Sequence, residues 1–283
     1  MKVINSISEM KQWSDAQRAK GLRIGFVPTM GFLHEGHLSL MRIAKEKSDV
    51  LVVSIFVNPT QFAPGEDFDR YPRDFKRDEA LCQKEDVSVI FYPSAEEMYP
   101  ENHRTYVITD QLSQVLCGKS RPEHFKGVTT IVCKLFNIVK PHVAVFGQKD
   151  AQQAIILKRM VADLNMDVEM IIAPIVREAD GLALSSRNKY LSGKERQEAP
   201  VLFKSLETAE SELNSVKDHS NIKNKMKKLI EENSTGKIDY IEIVDGETLA
   251  EPTKQSHKIL VALAVYFGQT RLIDNILISL EDQ

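Results

Sequence analysis

Up to about residue 175 the chain alternates two patterns of apolar and polar positions. Short apolar runs at residues 23–27, 49–56, 87–91, 105–108, 143–147 and 167–172 predict strands. Stretches at 37–47, 74–85, 128–139 and 149–164 carry apolar residues three and four apart and predict helices. The run Val50-Leu51-Val52-Val53-Ser54-Ile55-Phe56 hardly alternates, as burial on both faces of a parallel sheet demands. Strands alternating with helices predict a doubly wound α/β domain over 1–175, with right-handed crossovers. Ligands in such sheets bind beyond the carboxyl ends of the strands.

From 176 onward the pattern changes. Ser192 has the character of an N-cap, and Glu195 three residues on completes a capping box. A long polar helix is expected from there to about Asn214, and a lysine-rich one over 221–233. A turn at 234–237 then leads into strand-like runs at 238–244, 258–267 and 271–278. These predict a smaller α+β domain over 176–283. There are no internal repeats and no low-complexity segments. The lysines of 223–228 read as a solvated helix face.

With 283 residues, 42% of them hydrophobic, the chain can fill one large domain or two modest ones. Its net charge of −3 argues against a general nucleic-acid or membrane-surface binder, which carries a basic excess. The opening residues lead into charged sequence, so no signal peptide is expected, and no apolar run reaches membrane-spanning length. Cys82, Cys117 and Cys133 lack metal-type spacing. They read as free, partly buried thiols in a reducing cytoplasm.

The segment Pro28-Thr29-Met30-Gly31-Phe32-Leu33-His34-Glu35-Gly36-His37 lies where the first predicted strand hands over to a helix. The first turn of a helix has unpaired N–H groups and the positive end of the dipole, which suits an anion. Two imidazoles three residues apart share one face of that turn and add donors for phosphate oxygens. Gly36 lets a flat ring such as adenine lie against the backbone. This is the pattern of a His-x-Gly-His nucleotide site. A zinc site would need a third ligand, and Glu35 points away from the histidine face, so no protein-held metal is expected there.

Other clusters fall at or just after predicted strand ends. Asn58 and Gln61, in Phe56-Val57-Asn58-Pro59-Thr60-Gln61-Phe62, offer donors and acceptors for hydroxyl and carboxylate groups, or cap a strand-ending turn. Residues 63–77 read as a mobile surface loop or a lid. In Phe146-Gly147-Gln148-Lys149-Asp150, Gly147 permits close backbone approach and Lys149 either meets phosphate or faces solvent. Gln153 follows Lys149 four residues later on the same face. Leu184-Ser185-Ser186-Arg187-Asn188 is a phosphate clamp or a capped turn with a surface arginine. Arg121-Pro122-Glu123-His124-Phe125-Lys126-Gly127 reads as a turn-rich connector whose His124 makes a structural hydrogen bond.

The early His-x-Gly-His turn and the late Ser-Ser-Arg-Asn turn resemble the two signatures of the nucleotidyltransferase and class I aminoacyl-tRNA synthetase superfamily. With the amide turn, Tyr71-Pro72-Arg73, His124 to Val128, Phe146 to Asp150 and Thr270-Arg271-Leu272-Ile273-Asp274-Asn275, the whole chain resembles the pantoate–β-alanine ligase family. The resemblance implies a Rossmann-like nucleotide- and pantoate-binding domain and a smaller domain that closes over ATP. It implies that ATP with Mg²⁺ and (R)-pantoate form a pantoyl adenylate, which β-alanine converts to pantothenate and AMP. Met30, Gly31, Phe32, Leu33, His34, Glu35, Gly36 and His37 would form an ATP-binding segment, with His34 and His37 donating to phosphate oxygens. Gly147, Gln148, Lys149 and Asp150 would be a second nucleotide segment, with Lys149 on the phosphates and Asp150 near the ribose. Val176 would meet adenine, and Leu184, Ser185, Ser186 and Arg187 the triphosphate. Gln61, Gln153, Asn58 and Pro28 would hold pantoate, with Gln61 also meeting β-alanine. A homodimer is also implied.

Two positions depart from the family pattern. Leu184 stands where many members have Met, a near-isosteric change. Arg77 precedes Asp78 where many have an acidic pair, leaving Asp78 as the remaining flap carboxylate for a metal held mainly by ATP. Competing readings are a nucleotidyltransferase acting on a phosphorylated acceptor and a nucleotide-sensing module. A tRNA synthetase is disfavoured by the short, non-basic C-terminal region.

Overall fold

The computed structural model describes residues 1–213 and 218–280. Six strands form a parallel sheet: β1 (Lys2–Ile4), β2 (Ile24–Thr29), β3 (Val50–Ile55), β4 (Val89–Phe91), β5 (Val143–Gly147) and β6 (Glu169–Ala173). Their order is β1-β4-β3-β2-β5-β6. The helices are α1 (Ile7–Ala19), α2 (Glu35–Glu46), α3 (Phe75–Lys84), α4 (Ala95–Met98), α5 (Cys117–Ser120), α6 (His124–Val139) and α7 (Ala151–Asp163), then α8 (Gly193–Glu198), α9 (Val201–Leu213) and α10 (His219–Asn233). Strands β7 (Lys237–Asp245), β8 (Lys258–Phe267) and β9 (Thr270–Ser279) make an antiparallel sheet in that order.

Two compact units result. One comprises Met1–Ser113, Arg121–Gly147 and Ile156–Pro174; the other comprises Gln114–Ser120, Gln148–Ile155 and Ile175–Gln283. Segments 114–120 and 148–155 thus go with the C-terminal residues, although they precede residue 176.

Alternation along the parallel strands sorts the core of the first unit. Val27, Val53, Val143 and Val145 pack with Leu38, Met41 and Ala44 of α2 and with Cys82 of α3. On the other face, Phe26 and Phe146 meet Phe136 of α6 edge to face at 6.4 and 6.3 Å. Strand order reverses between β2 and β5, which pair only at Gly25–Val143 and Phe26–Ala144. Beyond Phe26 the two strands part toward their carboxyl ends, and Pro28, with no N–H to give, lies in the parted segment. The second unit packs α9 and α10 on one face of its sheet, with Leu206, Met226, Val261, Leu263 and Phe267 buried.

Three expectations are corrected, and two further elements appear. Residues 105–108 form no strand, because Val107 gives its N–H to Thr130 Oγ1 at 3.0 Å and its carbonyl accepts from Thr129 Oγ1 at 2.6 Å. Both hydroxyls belong to α6, so no ladder partner is needed. The connector at 121–127 is largely the first turn of α6, which starts at His124 and buries Phe125 and Gly127. The long helix after Ser192 is two helices broken at Pro200, whose ring cannot donate and crowds the preceding turn. Its expected end, Asn214, lies outside the described residues. Finally, β1 and α1 were not foreseen: one is three residues long, and the other has only a thin apolar stripe, with Met10 its one fully buried apolar residue.

Cys82 and Cys117 are buried free thiols, and Cys133 is half-buried and free. The lysines of α10 pair with carboxylates, Lys223 with Glu242 at 3.0 Å and Lys225 with Glu212 at 2.7 Å. No described helix is long and apolar enough to cross a membrane.

Candidate active site

The turn after β2 is built from hydrogen bonds that only these residue types can make. Thr29 Oγ1 donates to Ser54 O at 2.8 Å and accepts from the N–H of Gly31 at 3.1 Å. Gly31 has φ +82° and Phe32 φ +51°. Two successive left-handed residues swing the chain out of the sheet and into α2. Asp78 holds that conformation: its carboxylate accepts from Phe32 N–H at 2.7 Å and Leu33 N–H at 2.8 Å. Leu33 is wholly buried and anchors the turn in the core. A Cβ on Gly31 would come within 2.9 Å of Ile55 Cγ2 and 3.0 Å of Asp78 Oδ2.

His34 is the N-cap of α2 and His37 the third residue of its first turn. The N–H of His34 donates to His37 Nδ1 at 3.3 Å. An N–H directed at Nδ1 needs a lone pair there, so the proton of the neutral ring sits on Nε2. The two rings are 4.1 Å apart between centroids and inclined by 43°. Glu35 turns instead to Arg42, which also pairs with Glu85 at 2.6 Å.

The turn after β3 is a 3₁₀ segment, Pro59–Gln61, capped by Asn58. Asn58 is 1% exposed. Its Nδ2 donates to Gln61 Oε1 and to Gly127 O, each at 3.1 Å, and its Oδ1 accepts from Thr60 Oγ1 at 3.0 Å. Gln61 Nε2 donates to Met30 Sδ at 3.1 Å. The backbone carbonyl of Gln61 receives Arg121 at 3.2 Å and stands 2.8 Å from His124 Nδ1, so His124 makes the structural bond expected of it. Gly127 lets α6 come this close, since a Cβ there would lie 2.4 Å from Thr60 O.

Residues 63–77, whose composition suits a mobile surface loop or a lid, are anchored, and 75–77 are the first residues of α3. Tyr71 is buried, and Phe62 packs on Phe68 and Tyr71 with centroids 5.4 and 6.0 Å apart. Arg121 holds Glu66 through two bonds of 2.7 and 2.6 Å. Burial raises the Glu66 pKa, but the Arg121 hydrogen bonds and charge outweigh it and leave the carboxyl below its usual range. Burial pushes the Asp78 carboxyl up, with its two backbone donors and Arg77 working against that rise.

Gly147 ends β5 in the first unit, and the second unit holds the remaining candidates. Gln148–Asp150 is a 3₁₀ turn that opens α7, and Gln153 is half-buried in the helix. Lys149 Nζ is 3.8 Å from Asp150 Oδ2. Val176 accepts the N–H of Leu184 at 3.0 Å, and Arg177 bridges to Ala183, closing a hairpin at Gly181. The hairpin delivers Ser185, Ser186 and Arg187 beside Val176. Ser185 Oγ caps the turn by accepting from Arg187 N–H at 3.2 Å, and Ser186 is buried.

Two residues of β9 receive both segments. Asp274 takes Arg177 through bonds of 2.6 and 3.0 Å. Asn275 Nδ2 donates to Gln148 O at 3.0 Å and Lys149 O at 2.9 Å, and Oδ1 accepts from Gln148 Nε2 at 3.0 Å. Burial drives the Asp274 carboxyl up, and the Arg177 hydrogen bonds and charge oppose it.

A family model described as pantoate-beta-alanine ligase matches residues 2–277. The chain belongs to the pantoate-beta-alanine ligase family. The pantothenate synthetase of Thermotoga petrophila is 60% identical over 280 residues, 99% of this chain and 100% of that one. That of Caldicellulosiruptor bescii is 54% identical over 280 residues, 99% of each. Among solved structures, pantothenate synthetase from Thermus thermophilus matches with a TM-score of 0.90 and 41% identity, covering 98% of this chain and 99% of that one. Pantoate-beta-alanine ligase from Francisella tularensis, complexed with beta-gamma ATP and beta-alanine, matches with 0.81 and 35%, covering 98% and 97%.

Within this ligase fold, the first unit gathers Pro28, the 30–37 turn, Asn58 and Gln61 at the carboxyl ends of β2 and β3. The second gathers Gln148 to Asp150, Val176 and Leu184 to Arg187 around β9. Thr29, Gly127, Arg177, Asp274 and Asn275 were not singled out as candidate site residues. The signal for the last pair was present: two adjacent polar residues interrupt the apolar run Leu272 to Leu277, which a strand facing a core does not need.

Proposed function

We propose that the chain condenses (R)-pantoate with β-alanine at the expense of ATP, giving pantothenate, AMP and diphosphate. A carboxylate oxygen of pantoate attacks the α-phosphorus, and diphosphate leaves with the electron pair of its bridging oxygen. The neutral amine of β-alanine then attacks the adenylate carbonyl. The carbon–oxygen bond to AMP breaks and the amine loses a proton. The observation that carries this reading is the pair of imidazoles at the N-terminus of α2. His37 accepts the His34 N–H at Nδ1, which leaves the proton of its neutral ring on Nε2 as a donor to phosphate oxygen as charge develops.

The other roles follow the same chemistry. Met30 to His37 bind ATP, Leu33 through its backbone. Lys149 places charge on the phosphates, Gln148 and Gly147 bring backbone close, and Asp150 reaches the ribose. Val176 meets adenine through its backbone, and Leu184 to Arg187 meet the triphosphate. Gln61 holds pantoate and meets β-alanine, with Gln153 a second pantoate contact and Pro28 beside them. Asn58 acts by orienting Gln61.

Magnesium enters on the triphosphate as part of the substrate. Asp78 has both oxygens on backbone N–H groups, and no group of three His, Cys, Asp or Glu among the described residues could hold an ion. The protein works in the cytoplasm as a homodimer. The exposed Tyr106 and Ile108, on a segment that joins no sheet, support self-association, which sedimentation would test.

The test is product analysis with MgATP, (R)-pantoate and β-alanine, each omitted in turn. AMP and pantothenate should appear only in the full mixture. AMP formed without pantoate, or a dinucleotide product, would overturn the reading.

A further inference from the structure

We propose that Asn275 is a positioning residue for adenylate formation, acting through the backbone of Lys149, and that its neighbour Asp274 does the same for Ser185 to Arg187 through Arg177. The proposal rests on the reading that Lys149 and Arg187 meet the triphosphate. Two segments far apart in sequence must present cations to one polyphosphate, and nothing in their own turns fixes their separation. A 3₁₀ turn and a short hairpin are both weak elements on their own.

The strand β9 supplies what they lack. Asn275 is 3% exposed and uses both ends of its amide. Its two N–H donors meet the carbonyls of Gln148 and Lys149, and its oxygen receives the Gln148 side chain. Only an amide offers donors and an acceptor in that arrangement; a carboxylate would set oxygen against two carbonyls. Asp274, also 3% exposed, holds the Arg177 guanidinium by two bonds, while Arg177 also donates to Gly181 O at 3.1 Å in the hairpin turn. Arg177 is held from its other side by the Phe203 ring, 4.0 Å from the guanidinium carbon. Adjacent residues of one strand therefore set the distance between Lys149 and the Ser185–Arg187 turn. Displacement of about 1 Å at such a site costs on the order of a hundredfold in rate.

The test separates the two half-reactions. Diphosphate release from MgATP and pantoate is measured in a single turnover, and β-alanine is then chased onto the adenylate that forms. Asn275→Asp should slow the first step about ten- to a hundredfold and leave the chase rate unchanged. The decisive measurement is the pair with Lys149→Ala. If Asn275 acts through Lys149, the double variant is no slower than Lys149→Ala alone, whereas a general structural defect multiplies the losses. Equal slowing of both steps, or multiplied losses, overturns the proposal. If Lys149→Ala and Arg187→Ala leave diphosphate release intact, the underlying reading of the triphosphate site fails instead. Should Asn275→Asp prove unfolded at the assay temperature, Asn275→Ser, which keeps a donor and an acceptor, is measured in the same way.

Discussion

Asn58 donates from Nδ2 to the side-chain oxygen of Gln61 at 3.1 Å. The same nitrogen also meets Gly127 O, so the Asn58 amide cannot turn over without facing oxygen with oxygen. Gln61 is fixed in consequence, its oxygen toward Asn58 and its nitrogen toward Met30 Sδ. A ligand sees one remaining N–H and one lone pair, in a set orientation. Asn58→Asp should therefore raise the KM for pantoate about tenfold or more, with the KM for ATP within about twofold of the parent. Steady-state kinetics with each substrate varied would check this. An unchanged KM for pantoate would show that Gln61 does not depend on Asn58.

Gly127→Ala tests the same turn from the helix side. The added Cβ would lie 2.4 Å from Thr60 O and 2.7 Å from Gln61 Cα, both backbone atoms that cannot rotate away. Overpacking of this kind costs about 1–3 kcal/mol. The expected outcome is a lower denaturation midpoint together with a raised KM for pantoate. Full stability with normal kinetics would mean that α6 and the 59–61 turn slide apart freely.

How far the sequence reveals this architecture depends on the range of the interactions. Strong apolar runs such as 50–56 and helical periods such as 74–85 mark their elements to within a residue or two, because burial itself makes the pattern. The His34 and His37 pairing was legible for the same local reason: the two residues lie one turn apart. Residues 105–108 misled because side chains of α6 replaced a ladder partner. The structural partners of Asp78 were not legible, because the N–H groups of Phe32 and Leu33 lie 46 and 45 residues away. The hold of Asn275 on Lys149 spans 126 residues: the polar pair inside an apolar strand marks the position, but nothing local names its partner.

Asp78→Asn replaces one acceptor by an NH₂ group facing a backbone N–H. Burial makes the ionised carboxylate costly, yet both its oxygens are matched to donors. The amide is cheaper to bury and can match only one. Leaving a buried N–H unpaired costs about 1–3 kcal/mol, which should exceed the relief of desolvation. The left-handed Gly31–Phe32 turn then relaxes, and the KM for ATP should rise about tenfold. Urea denaturation and ATP titration check both parts. A variant as stable and as active as the parent would show that the turn holds itself.

Glu66 and Arg121 provide a pH-dependent test. Arg121 bonds the carboxylate twice and the carbonyl of Gln61 once, so the pair ties the 63–77 segment to the amide turn. The Glu66 pKa in the folded protein lies below its ordinary value of 4.5. The stability this contributes is fully present above that value and is lost as the pH falls through the folded-state pKa. Glu66→Gln keeps one acceptor and loses the charge, so it should cost about 1–2 kcal/mol at neutral pH. The gap between parent and variant should stay constant down to about pH 5, narrow below it, and close once Glu66 of the folded parent is protonated. Denaturation curves of both proteins across that range decide it. A gap that persists unchanged in acid would assign the effect to packing of the segment rather than to the ion pair.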